Sequence, residues 1–222
     1  MDKQEKKSGR GGWAKWLVAA VLVPIFVALV PIFGPDVRDY FFRIDDSVIS
    51  LREGYDFIAR AREADWSNGN VELDYPGDGG DRRGYVYSLS AGGPKLENGD
   101  AHDRLLFTHP EWVPYGIIRG TYGPFRVDSD LFISAEVGYL APNSGGFLQS
   151  DGIEFQVIFR PQGGTDEVLA SVTERSDGET SILLAELGSF AGVIGTVTLQ
   201  VRAGQTANQD WAAWSHVRVV RQ

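Results

Sequence analysis

Ile133-Ser-Ala-Glu-Val-Gly-Tyr139 alternates apolar and polar residues, and Ile153-Glu-Phe-Gln-Val-Ile-Phe159 repeats the pattern after an intervening Gly-rich stretch. Side chains alternate faces along a strand, so each stretch reads as a half-buried β-strand. Working outward, Val197-Thr-Leu-Gln-Val201 and Val217-Arg-Val219 close the chain with the same period. Upstream, Val71–Tyr75 and Tyr85–Leu89 alternate on either side of a Pro76–Asp81 turn. Val168–Glu174 and Ser181–Glu186 flank Ser176-Asp177-Gly178, and an Asp-Gly turn between alternating runs reads as a hairpin. Eight to ten short strands with no helix between them predict an all-β domain, an antiparallel β-sandwich. Twenty-seven glycines against one methionine agree with many tight turns and few packed helices.

Before the strands the sequence changes character. Leu17–Phe33 (LVAAVLVPIFVALVPIF) is uncharged throughout, and at 1.5 Å per residue it spans about 25 Å. Trp13 and Trp16 stand at its entry, where indoles favour the headgroup layer, behind a cluster of Lys and Arg. No small-residue cleavage site follows it, so the stretch reads as a retained transmembrane signal anchor in contact with lipid. Residues 1–34 carry five basic and two acidic side chains, a net +3. The rest of the chain carries sixteen basic and twenty-eight acidic side chains, a net −12. The positive-inside rule then puts the N-terminus in the cytoplasm and the body outside: a single-pass protein of the cell membrane with an extracytoplasmic domain. Pro24 and Pro31 recur in a repeated VPIF and face one side of the span. They predict either a kinked lipid anchor or a helix docked on another membrane protein.

Val37, Phe41, Ile44, Val48, Leu51, Tyr55 and Ile58 are spaced 4, 3, 4, 3, 4 and 3 apart. That a/d pattern predicts an amphipathic heptad helix, either an oligomeric stalk through residues 37–58 or a helix covering the domain that follows. The domain reading is therefore a cytoplasmic tail (1–16), a signal anchor (17–34), a helical stalk or cap (35–66) and a β-sandwich (67–222).

Phe132-Ile-Ser-Ala-Glu-Val-Gly138, Asp151-Gly-Ile-Glu-Phe-Gln-Val157, Leu199-Gln-Val-Arg-Ala-Gly204 and Asp210-Trp-Ala-Ala-Trp214 occur in this order, with Tyr115-Gly-Ile-Ile-Arg-Gly120 before them. The series, over residues 113–220, resembles the NPCBM-type carbohydrate-binding modules of the galactose-binding-like jelly rolls. The resemblance implies a sandwich fold and a sugar ligand. The chain departs from the family in its anchor and in the absence of an attached hydrolase domain.

Sugar binding needs an aromatic platform beside groups that reach hydroxyls. The candidates are Trp112, Tyr115, Tyr122, Trp211 and Trp214, with His109, Arg119, Asp151, Asn208 and Asp210 as polar partners. Trp112 lies in a loop before Pro114 and is expected to be exposed. Asp210 and Trp214 carry a structural expectation instead: the carboxylate accepts loop N–H bonds and the indole fills the core. For metals, Asp74, Asp78 and Asp81 cluster in one loop and Asp128 and Asp130 in another. They make Ca²⁺ a candidate, although neither loop matches the calcium-loop pattern.

Charge and composition exclude other classes. A −12 body with Lys95 as its one lysine is a poor ligand for phosphate backbones, so nucleic acid is not expected as a partner. No cysteine leaves no thiolate chemistry, and three histidines without a hydrolase motif point away from an enzyme. Two non-catalytic readings remain. One is a membrane-anchored module that binds glycan without any cofactor. The other is an accessory subunit of a membrane protein complex, docked through its Pro-containing helix and its sandwich face.

Overall fold

The computed structural model describes residues 48–221. The basic tail, the apolar span and the first half of the heptad stripe lie outside those residues. Among the described residues no helix is long and apolar enough to cross a membrane.

Two sheets face each other. One runs β1 (Ile49–Leu51), β5 (Ile117–Val127), β10 (Ile194–Ala203), β7 (Ile153–Pro161) and β8 (Glu167–Glu174), with β2 (Asp65–Ser67) also on β5. The other runs β3 (Tyr85–Leu89), β4 (Leu105–His109), β11 (Ala212–Arg221), β6 (Leu131–Tyr139) and β9 (Ser181–Glu186). The named pairings are antiparallel apart from β1 with β5. The expected sandwich is present, and the alternation that predicts it is real. Ile133, Ala135 and Val137 of β6 are buried, as are Phe155 and Val157 of β7 and Val197, Leu199 and Val201 of β10. Phe155 meets Trp214 of the opposite sheet edge-to-face, with ring centroids 4.9 Å apart. That contact stitches the two layers within the core.

Several expectations need correction. The segment 48–66, expected to continue the heptad helix, holds β1, a 3₁₀ turn at Ala61–Glu63 and β2. Leu51, Phe57 and Ile58 are buried in the sandwich core, so the apolar spacing serves an extended lining rather than a helix face. Gly54 takes φ +83, a left-handed conformation that ends any helix there. The backbone from Gly54 to Phe57 instead bonds the flank of β11. Gly54 N–H donates to Val219 O, Phe57 N–H to Val217 O, and Val219 N–H to Tyr55 O.

Ser176–Gly178 is not a hairpin turn. β8 pairs with β7 in one sheet and β9 with β6 in the other, so the turn is a corner where the chain changes sheets. Leu148 N–H donates to Ser176 Oγ and Gly178 N–H to Glu97 Oε2, and these bonds tie the corner in place of a ladder between its arms. Val71–Tyr75 forms only an isolated bridge, Ser67 to Glu72. β4, by contrast, carries no period-2 signal because all five of its residues are buried. Leu105 on its outer face joins Leu96 and Ala213 in a small second cluster, with Leu89 and Leu140 packed against it.

Candidate functional site

β4 ends at His109, and the chain turns out through residues 110–116 before entering β5. This loop carries the exposed indole. Trp112 is 46% exposed, and its ring centroid lies 5.2 Å from that of His109. His109 is buried and stacks on Tyr85 of the adjacent strand, 5.2 Å between centroids, and Tyr85 stacks on Tyr87. The guanidinium of Arg82 sits 5.7 Å from the Trp112 ring centre. Trp112 is thus a half-exposed indole with the His109 ring tilted against it and the Arg82 guanidinium over its ring.

Opposite this plane stands the loop between β10 and β11. Together they form a cleft of about 430 Å³ lined by His109, Trp112, Gln149, Asn208, Gln209 and Trp211, with Ala207 at its wall. The far wall is built by two devices. The Asp151 carboxylate accepts from Gln205 N–H at 2.7 Å and Thr206 N–H at 3.2 Å, so Asp151 folds the loop. Gln209, at φ +56, turns its side chain to accept from Gln149 N–H at 2.5 Å, joining the two loops that face Trp112. The cleft therefore offers one exposed indole, one partly buried indole and side-chain amides that both donate and accept hydrogen bonds. His109 Nδ1 donates to Pro110 O at 2.8 Å. Burial pushes the imidazole below its ordinary value, which keeps it neutral and leaves Nε2 as an acceptor.

Of the residues expected from the sequence, His109, Trp112, Trp211 and Asn208 come together here. Tyr115, 58% exposed, lies on the same loop as Trp112, with its N–H donating to Gly204 O. Tyr122 is elsewhere: it is fully buried in the core, edge-on to Phe57 and Trp66. Arg119 projects from β5 in the other sheet and pairs with Asp166 at 3.1 Å. Gln149 and Gln209 are not among the expected residues. No periodic or motif signal marks a glutamine in a loop, and the two belong to the cleft only because separate corners of the fold meet.

The structural expectation for the closing motif is half met. Trp214 is buried among core residues. Asp210 is also fully buried, but it accepts no loop N–H. Its Oδ1 accepts from Ser150 Oγ at 2.6 Å, Ser150 Oγ lies 2.7 Å from Tyr139 Oη, and Oδ2 has no partner. Burial holds its carboxyl up at about 7. The loop donors that it is expected to satisfy go to Asp151.

The acidic loops are arranged for turn geometry. Asp81 is bound bidentately by Arg83, at 2.7 Å in the shortest contact, which keeps its carboxyl below the usual range. Asp78 Oδ1 accepts from Gly80 N–H. Asp74, Asp78 and Asp81 border a shared hollow, and Asp128 and Asp130 sit in the turn between β5 and β6. Among the described residues, neither set converges its carboxylates as a metal cage would.

No protein-family model matches the chain, and no curated protein matches it. Among solved structures, the carbohydrate-binding module TmCBM61, in complex with β-1,4-galactotriose, is similar at 10% identity over 77% of this chain and 99% of its own, with a TM-score of 0.46. A cyclase from Fischerella sp. TAU in complex with 4-(1H-indol-3-yl)butan-2-one is similar at 12% identity over 71% of this chain and 83% of its own, with a TM-score of 0.45. The CBM22-1–GH10 modules of Clostridium thermocellum xylanase 10B, complexed with xylohexaose, are similar at 12% identity over 73% of this chain, with a TM-score of 0.43. The chain spans about a quarter of that protein's length, 26%. The structural neighbours thus include carbohydrate-binding modules.

Proposed function

We propose that the chain is a membrane-anchored, non-catalytic module whose extracytoplasmic sandwich binds glycan in the cleft beside Trp112. One observation carries this reading. A half-exposed indole packs at a tilt against His109, itself stacked on Tyr85, and faces amide side chains across an open cleft of about 430 Å³. The apolar face of a pyranose ring matches an indole plane, and its hydroxyls match groups such as Gln149, Asn208 and Gln209 that donate and accept at once. The lining of the cleft supports the non-catalytic part of this reading. His109 is its one titratable residue among those described, and a neutral imidazole without a paired carboxylate does not make a glycosidase.

The test is a glycan-array screen of the full chain in mild detergent, followed by titration of the best hit. Trp112→Ala should weaken that binding at least about fivefold, since ring stacking on an indole contributes on the order of 1–3 kcal/mol. Its melting temperature should stay within about 2 °C of wild type, as expected for a half-exposed side chain. A screen without hits, or a Trp112→Ala protein that binds unchanged, removes this reading. The accessory-subunit reading would then stand on the exposed Ile182 and Leu184 of edge strand β9, which leave an apolar outer stripe there.

A further inference from the structure

At the opposite end of β4 from the cleft, three side chains converge that the proposed function does not use. His102 precedes β4, Glu136 lies on β6 and His216 on β11. One ligand atom of each falls within 4.8 Å of the other two. We infer that His102, Glu136 and His216 form a binding site for one divalent transition-metal ion of the Zn²⁺ class.

The least explained atom in the cluster points to this reading. His102 is 9% exposed, and its Nε2 has no hydrogen-bond partner. Glu136 Oε2 lies 3.9 Å from it, too far for a hydrogen bond. Two ligands on a tetrahedral Zn²⁺ at about 2.1 Å stand about 3.4 Å apart, so this gap closes around a cation with a shift of about half an ångström.

Two of the three ligands also have the outer support that metal sites use. His102 Nδ1 bonds the buried Ser215 Oγ at 2.8 Å. In the tautomer that carries its proton on Nδ1, Ser215 accepts it and Nε2 presents a lone pair to a cation. Glu136 Oε1 accepts from Thr180 Oγ1 at 3.0 Å, and Thr180 Oγ1 accepts from Asn98 Nδ2 at 3.2 Å, which leaves Oε2 free. Ser215 and Glu136 are cross-strand partners in the β11–β6 ladder. Immediately after that pair the register slips, and His216 takes φ +51 in the bulge. The irregularity brings His216 beside His102, with ring centroids 5.4 Å apart.

A hollow of about 250 Å³ opens at His216, bordered by Asp56, Asp103, Arg104 and Arg218. Arg218, itself exposed, bonds His216 Nδ1 at 2.8 Å and competes with a cation for that ring. Two imidazoles and one carboxylate suit Zn²⁺ and its neighbours in the first transition row, whereas Ca²⁺ takes six to eight oxygens.

The experiment is calorimetric titration of the full chain in mild detergent, after chelator treatment, with Zn²⁺ alone and then Ca²⁺ alone. One Zn²⁺ per chain is expected, with micromolar or tighter Kd, and no displacement by millimolar Ca²⁺. His216→Asn and Glu136→Gln should each raise Kd at least tenfold, while Arg218→Ala should lower it. His216→Asn is the decisive variant, because the side chain is exposed and asparagine accepts a left-handed backbone. Absence of Zn²⁺ binding, or a Kd unchanged in His216→Asn, overturns the assignment.

Discussion

Asp210→Asn should change how stability depends on pH more than it changes stability itself. The wild-type carboxyl is fully buried, bonded only through Oδ1 to Ser150, and held at about 7 against an ordinary 3.8 by loss of hydration. The folded state therefore binds this proton more tightly than the unfolded chain does. The stability it contributes is complete below about pH 4 and is lost as pH rises through about 7. At about 1.36 kcal/mol per pH unit, the span from 3.8 to about 7 corresponds to at most ~4 kcal/mol. Asparagine keeps the acceptor for Ser150 Oγ and cannot ionise, so its protein lacks this loss. Glu97 and Glu174 are also raised by burial and slope the same way, while His109, lowered by burial, slopes oppositely. Those contributions are common to both proteins and cancel in the comparison. The assay is a thermal melt of wild type and variant from about pH 4 to about pH 8. For a folded unit of this size, 1 kcal/mol moves Tm by about 2–4 °C, so the variant should gain on the order of 10 °C relative to wild type across that range. Parallel curves would refute the reasoning, since they would mean that Asp210 is ionised in the folded protein throughout and that its burial is offset by a partner.

Three further outcomes are expected. Trp214→Ala should destabilise the sandwich by about 3–5 kcal/mol in a denaturant titration, because the indole is buried and carries the contact to Phe155 between the sheets. Leu51→Asp should lower Tm without changing the particle mass in detergent, since Leu51 is buried in the core beside β5; an oligomer that turns monomeric while keeping its Tm would restore the stalk. Protease added to right-side-out cells should digest the sandwich and spare an N-terminal tag, as the proposed anchor with its charge step from +3 to −12 across Leu17–Phe33 predicts; a mature protein that begins after residue 34 would contradict this.

Period-2 alternation is enough to determine the sandwich. Ile133–Tyr139, Ile153–Phe159 and Val197–Val201 each have one face towards a core and one away from it, and that asymmetry is written directly into the order of residues. The exposure of Trp112 and the burial of Trp214 are legible for a similar reason, one lying in a Pro-flanked loop and the other in an apolar run. Where both faces of a strand are covered the signal vanishes, and β4 escapes the pattern because a second cluster packs on its outer side. Where apolar spacing fits more than one geometry, neighbours decide. Val48–Ile58 has heptad spacing, yet β5 and the flank of β11 offer its backbone hydrogen bonds and its side chains a core. The Asp-Gly turn marks a reversal but does not say which sheet its arms join. The two sites depend on tertiary structure most of all. Gln149 meets Gln209, and His102 meets Glu136 and His216, across stretches of chain whose separation carries no information about distance. A strand records which way its own side chains face, but only the folded sheets determine which distant side chains they face.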